Sequence, residues 1–304
     1  MKTVILLHST TGNTKLVTRY AASWLSAQGH ECTVHDIVKR GHDIDLSGAD
    51  LLGVACPTMY FRPTHAMEKF IVNMPATTGR PRPAFLLGTA GGDPGSHFVI
   101  LSDLLALKGY VALDACWFAF PDNWPPHRAP VEPLTLLEPL AALAGRRFQK
   151  AAPLLALAWP DLGVPGPDDP PRLRRFLERI VQRAGTADLA CPPDPQAFHK
   201  GIKALALAGR MITRSEMEKY TAIRIDRRRC STCGTCVKVC PSGTITRAAD
   251  DEVPSVGVGC TGCWACFNRC PEAAISGWRS PHGRGQYRGP AANVRALFTP
   301  PKTS

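Results

Sequence analysis

The chain has 304 residues, 44% hydrophobic and 20% charged, with a formal net charge of +11 at pH 7. This composition excludes collagenous, low-complexity and disordered chains, and the length suits two domains with a sizeable core. Twelve cysteines in a sequence with no mark of secretion point to metal binding or catalysis rather than to a disulfide framework.

"MKTVILLHST" has an apolar run that ends at His8, too short for a signal-peptide core, and no small-residue cleavage site follows. No uncharged apolar run approaches membrane-span length, so a cytoplasmic location is expected. The positive charge is uneven. Residues 172–229 hold fourteen Lys/Arg against six Asp/Glu, and residues 279–304 hold five against none. A docking surface is expected there.

The first 120 residues alternate strand and helix patterns. "TVILLH" reads as a strand, and from Thr14 the positions Leu16, Val17, Tyr20, Ala21, Trp24 and Leu25 have helical spacing up to Gly29. "CTVHDI", "LLGVAC", "AFLLGT" and "YVALDACWF" are further strands, with helices over about 65–74 and 96–108. Short, nearly continuous apolar strands between helices predict an α/β fold with a doubly wound, five-stranded parallel sheet. Ligands of such sheets bind at the carboxyl ends of the strands.

"PDNWPPHRAPVEP" and "WPDLGVPGPDDPP" read as loops around an apolar helical stretch over 135–157. "PRLRRFLERIVQRAG" puts Leu173, Phe176, Leu177, Ile180 and Val181 on one helical face with five arginines elsewhere. Such a helix can lie on a membrane or meet an acidic partner, or it can pack on its own protein with the arginines solvated. A further helix is expected over 198–214. The expected division is a first domain over 1–157, a basic connector over 158–219, a small cysteine domain over 220–290 and a basic tail over 291–304.

Cys230, Cys233, Cys236 and Cys240, followed by Pro241, form C-x2-C-x2-C-x3-C-P, and Cys260, Cys263, Cys266 and Cys270, followed by Pro271, repeat it. Three closely spaced thiolates grip three irons of a cubane while the fourth arrives from the other run. That rule assigns Cys230, Cys233, Cys236 and Cys270 to one [4Fe-4S] cluster and Cys260, Cys263, Cys266 and Cys240 to a second. Zinc knuckles do not need four cysteines at these spacings. Over residues 221–278 the chain resembles bacterial-type two-cluster ferredoxins. Cys32, Cys56, Cys116 and Cys191 lie outside the pattern and are expected as small buried hydrophobes. "GVGCTG" at 257–262 fits G-x-G-x-x-G but contains Cys260 and joins no strand to a long helix. No nicotinamide fingerprint remains, so direct reduction by NAD(P)H is not expected.

"HSTTGNT" follows the first strand and opens the first helix, where hydroxyls and backbone N–H groups make an anion site or simply a capped helix start. Ser9, Thr10, Thr11, Gly12, Asn13 and Thr14 resemble the phosphate loop of flavodoxins, which implies FMN as cofactor. The same resemblance implies that Pro57, Thr58, Met59, Tyr60 and Phe61 after the third strand enclose the flavin ring. Thr89, Ala90, Gly91, Gly92, Asp93 and Gly95 after the fourth strand do the same. Tyr60 is a candidate to stack on the ring, and Trp124 a candidate to close the pocket. A flavodoxin-like domain ahead of a two-cluster domain, ending in "HGRGQY", resembles the fused flavodoxin–ferredoxin proteins over roughly 1–125 and 220–290.

The expected function is an internal relay between two clusters and FMN, with no catalytic acid–base pair or nucleophile. A low-potential donor would feed it, and an acidic redox partner or an anionic membrane surface would explain the basic connector. One alternative is an FMN-dependent reductase of a small substrate, with His65 and Cys56 near the rim. Another, a nucleic-acid-binding switch, is disfavoured because thiolate clusters and a flavin phosphate would offset much of the positive charge. A homodimer is compatible with the sequence.

Overall fold

The computed structural model describes residues 1–40, 44–125, 165–186, 189, 195–200, 203–277, 280, 282–283 and 285–299. The helix expected over 135–157 and Cys191 lie outside the described residues.

Alternation along β1 (Lys2–Leu7) sets the layering: Val4 and Leu6 point into one core, Ile5 and Leu7 into another. Parallel to it run β2 (Glu31–Asp36), β3 (Leu51–Met59), β5 (Arg82–Ala90) and β6 (Tyr110–Ala119), in the order β2-β1-β3-β5-β6. The two-residue strand β4 (Arg62–Pro63) folds back antiparallel on the end of β3. Helices α1 (Asn13–Ala27), α2 (Ile37–Arg40), α3 (His65–Asn73) and α4 (His97–Ala106) connect the strands. This is the flavodoxin-like winding order, whose switch point lies between β1 and β3. Both faces are covered, which is why β3 and β5 read as unbroken apolar runs.

On the face of Ile5 and Leu7, α1 is joined by α5 (Asp169–Thr186), whose Leu173, Phe176, Leu177 and Ile180 are fully buried against β5, β6 and α1. The expected boundary at 157 placed this helix in a connector; instead it covers the sheet. Its arginines bond inward as well: Arg172 donates to Trp117 O at 2.9 Å, and Arg183 donates to Leu113 O at 2.6 Å. Arg179 pairs with Asp114 at 3.7 Å.

The helix expected over 198–214 is observed as α6 (Lys203–Met211), preceded by a 3-10 turn at Pro195–Phe198. Then α7 (Arg214–Thr221) leads into a small unit containing α8 (Thr235–Val239) and α9 (Ala265–Arg269). Its strands have two residues each: β7 (Arg224–Ile225) pairs with β10 (Ile275–Ser276), and β8 (Ile245–Thr246) pairs with β9 (Ser255–Val256). So little regular structure gives this unit a small core of its own.

The expected tail after 290 is the second departure. It forms α10 (Ala292–Leu297), and Val294 and Phe298, four residues apart on one face, enter the core beneath the sheet. Phe298 meets the Tyr20 ring at 5.9 Å and stacks over Phe120 at 6.3 Å. Counting charges hid this apolar pair. The chain thus leaves the first domain, builds the cysteine unit and returns to the first domain's core.

Candidate functional site

Four loops meet at the carboxyl edge of the sheet, and two adjoining cavities open there. Ser9, Thr10, Thr11, Asn13 and Thr14 line the first, with Pro57, Thr58, Thr89, Ala90 and Gly91 from the neighbouring strand ends. The chain turns into α1 at Gly12, whose φ of 107° a side chain would strain. The first turn of this 15-residue helix carries no acidic residue, so its N-terminal field is open to an anion. Thr14 and Thr89 hydroxyls lie 2.8 Å apart, and Ser9 Oγ accepts from Lys15 N at 3.2 Å. Asn123 and its neighbours Phe120, Pro121 and Asp122, which sequence reasoning missed, complete the wall. Asn123 Nδ2 donates to Thr10 Oγ1 at 2.8 Å.

The second cavity, about 220 Å³, is walled by Thr58, Met59, Tyr60 and Phe61 on one side. Ala90, Gly91, Gly92, Asp93, Asp122 and Trp124 form the other. Gly95 does not line it; it packs behind, against Phe61. Tyr60 and Phe61 form the β3–β4 turn with φ of 53° and 61°, a left-handed pair usually given to Asn-Gly. Strain of this kind concentrates at functional sites. A polar end at a helix N-terminus beside an aromatic slot fits a phosphate joined to a planar ring.

Beneath the rim, His97 is fully buried, with Nδ1 3.1 Å from Thr58 Oγ1. Burial lowers its pKa to about 4, so the ring stays neutral. Burial likewise lowers His8 to about 4. Cys56 is buried in the core, and burial pushes its thiol up to about 12. His65 sits on α3, 3.8 Å from Glu68. Neither His65 nor Cys56 lines the two cavities. Cys116 is a core residue, and Cys32, half-buried on the opposite edge strand, packs against the same core.

The eight motif cysteines gather in two further cavities. One is lined by Cys230, Cys233, Cys236 and Cys270, with Ile225, Pro254 and Ile275. The other is lined by Cys240, Cys260, Cys263 and Cys266, with Ile223, Ile245 and Trp264. Each run therefore lends its fourth cysteine to the cavity of the other, because α8 and α9 pack side by side. Burial pushes the Cys236 thiol up to about 11 and that of Cys263 up to about 12, with Cys266 raised well above the ordinary value. The hydroxyl of Thr235 holds Cys233 below it. Burial acts to raise Cys240, but hydrogen bonds with Ser242 and Thr244 outweigh it and lower the thiol. Four thiols converging within an apolar wall fit an iron–sulfur cubane, whose binding would displace the protons of the buried Cys236, Cys263 and Cys266 thiols.

Residues 222–271 match the 4Fe-4S dicluster domain family. The chain thus joins a sheet of flavodoxin-like winding order to a segment similar to 4Fe-4S dicluster domains. Among solved structures, an archaeal flavodoxin is 19% identical over 40% of this chain and 87% of its own, with a TM-score of 0.33. Two-electron-reduced flavodoxin of Megasphaera elsdenii is 20% identical over 41% of this chain and 91% of its own, with a TM-score of 0.35. A flavodoxin mutant of Pseudomonas aeruginosa is 18% identical over 49% and 99%, with a TM-score of 0.32. The search of curated proteins found no match. Among the described residues, no helix is long and apolar enough to cross a membrane.

The dicluster domain sits directly on the carboxyl edge of the sheet. Arg269 Nε donates to Thr10 O at 2.6 Å, Asn268 Nδ2 donates to Asn123 O at 2.9 Å, and the Tyr287 hydroxyl donates to Asn13 Oδ1 at 2.7 Å. Met59 shares an apolar cluster with Trp264 and Phe267. None of these partners is legible locally; the Tyr287 and Asn13 positions are 274 residues apart.

Proposed function

We propose that the chain is an electron-transfer iron–sulfur flavoprotein that relays electrons between two [4Fe-4S] clusters and FMN. The observation that carries this is contiguity. Trp264 lines the cavity of Cys240, Cys260, Cys263 and Cys266, and its indole Nε1 donates at 3.4 Å to the hydroxyl of Tyr60, which lines the ring cavity.

Bound there, the clusters exchange single electrons while the flavin accepts one or two. The chain's own part is to hold, order and seal. Cys233 is exposed and Cys230 half-buried, whereas Cys263 and Cys266 are buried. Helix α9 carries Cys266 and is capped by Cys270, which belong to different cavities. Clusters held by these two sets of cysteines would stand between the exposed Cys233 and the contact of Trp264 with Tyr60, and would supply single electrons to a flavin bound in the adjoining cavity. Neutral His97 under Thr58 keeps a charge away from the ring cavity, and residues 9–14 hold the phosphate. The donor on this reading is a low-potential one-electron carrier, and the acceptor is a redox partner protein or a two-electron acceptor.

Protein purified without oxygen should contain about eight irons, about eight sulfides and about one FMN per chain. Iron without flavin would remove the relay and leave a dicluster domain on a ligand-free scaffold.

A further inference from the structure

The residues that would hold the flavin phosphate are themselves held by the domain that would carry the clusters. Residues 9–14 contain hydroxyls, one glycine and one amide but no charge. Arg269 brings a guanidinium to this loop, with Nε 2.6 Å from Thr10 O. The peptide between Thr10 and Thr11 is trans and planar, so a carbonyl turned toward Arg269 aims the Thr11 N–H the opposite way. The next carbonyl, Thr11 O, faces Gly289, where an added Cβ would stand 2.7 Å away at a φ of 111°. That contact directs the Gly12 N–H away from the cluster domain by the same rule. Tyr287 fixes the amide of Asn13 through its hydroxyl, at 2.7 Å.

These positioning groups are in turn anchored to the cysteine loops. Arg269 and Asn268 lie between Cys266 and Cys270, one cysteine from each cavity. Asn268 is 1% exposed and accepts from Tyr287 N at 2.8 Å. Gln286 Nε2 donates to Phe267 O at 2.6 Å and to Cys270 O at 3.1 Å, and Arg288 donates to Cys270 O at 3.1 Å.

We infer that the anion site is composite: Arg269, Tyr287 and Gly289 of the cluster-bearing segment hold residues 10–13 in their phosphate-binding conformation. Selection of a phosphorylated flavin over an unphosphorylated one, and its retention, therefore depend on the cluster domain being assembled. The inference rests on the flavin reading above. By reciprocity, a flavin phosphate that favours the held loop also favours the assembled cluster segment.

The test compares FMN with riboflavin, by flavin fluorescence quenching, on the full chain loaded with iron and sulfide, for the wild type, Tyr287→Phe and Arg269→Gln. The expected result is FMN binding weakened about tenfold or more in Arg269→Gln, which loses a charge-assisted hydrogen bond, and about threefold to tenfold in Tyr287→Phe, which loses a neutral one, with riboflavin binding unchanged in both. Unchanged FMN binding, or equal weakening of both flavins, overturns the composite site while leaving the flavin reading standing. Wild-type protein that binds neither flavin overturns the flavin reading itself. If Arg269→Gln loses iron, Tyr287→Phe, which removes one oxygen and keeps the ring, decides the matter. A second readout is iron loss to a chelator: FMN should slow it severalfold in the wild type and not in Tyr287→Phe, and no slowing contradicts the coupling.

Discussion

The indole Nε1 of Trp264 donates to the hydroxyl of Tyr60 at 3.4 Å, across a sequence separation of 204 residues. Trp264 is 1% exposed and makes an edge contact with Phe267 at 5.6 Å, and Tyr60 makes one with Trp124 at 6.3 Å. One aromatic chain thus runs from a cysteine cavity to the ring cavity.

Because Trp264 fills the centre of this junction, Trp264→Ala should cost about 3–5 kcal/mol, the range for deleting a large buried aromatic. Denaturant unfolding of the loaded protein measures it. A loss below about 1 kcal/mol would mean that the junction is not packed as described.

The crossed grouping of the cysteines makes a prediction about pairs. Cys230→Ala and the double variant Cys230→Ala/Cys270→Ala should each retain about four irons, because both residues serve one cluster. Cys230→Ala/Cys240→Ala should retain none. If that second double variant kept about four irons, each run would hold its own cluster and the crossing would be wrong.

His8 and His97 predict a dependence of stability on pH. Both are buried and neutral, with pKa values lowered from 6.5 to about 4 by burial. Between these values the unfolded chain binds more protons than the folded one, so stability rises with pH across this window and is lost as pH falls from about 6.5 toward 4. Each histidine contributes up to about 3 kcal/mol to that loss. The urea midpoint measured between these limits should fall, and His97→Gln should flatten the fall by roughly half. An unchanged slope would show that His97 is protonated in the folded state.

Thr11 lines the anion cavity and is 8% exposed. Thr11→Val keeps its shape and removes the hydroxyl, so FMN binding should weaken about tenfold while riboflavin binding holds. Isothermal titration with both ligands measures the difference. Equal affinities for FMN in wild type and variant would place the phosphate elsewhere.

Local patterns carried the sheet and the cysteine groups, and long-range packing carried what they missed. The strands expected from 3–8 to 110–118 coincide with the five parallel strands among the described residues; β3 and β5, covered on both faces, are unbroken apolar segments, whereas the edge strand β2 is only partly buried. The fixed spacing of the cysteines grouped them as the two cavities do. Helix Asp169–Thr186 has the pattern of any amphipathic helix, and the pattern does not name the surface that buries Leu173 and Phe176. Val294 and Phe298 lie in a segment whose arginines dominated its reading. Asn123, Arg269 and Tyr287 touch residues 9–14 only through the assembled fold, so no local signal marks them.

The central claim is that clusters and flavin exchange electrons within one chain. The direct measurement is anaerobic rapid mixing of the loaded protein with a substoichiometric low-potential one-electron donor, following flavin and cluster absorbance together. The cluster-free Cys230→Ala/Cys240→Ala protein, supplied with FMN until its flavin occupancy equals that of the wild type, serves as the control. Flavin bleaching that follows cluster reduction in the wild type, and is far slower in the control, is the predicted result. Clusters that reduce while the flavin stays oxidised, or equal bleaching in both proteins, would contradict it.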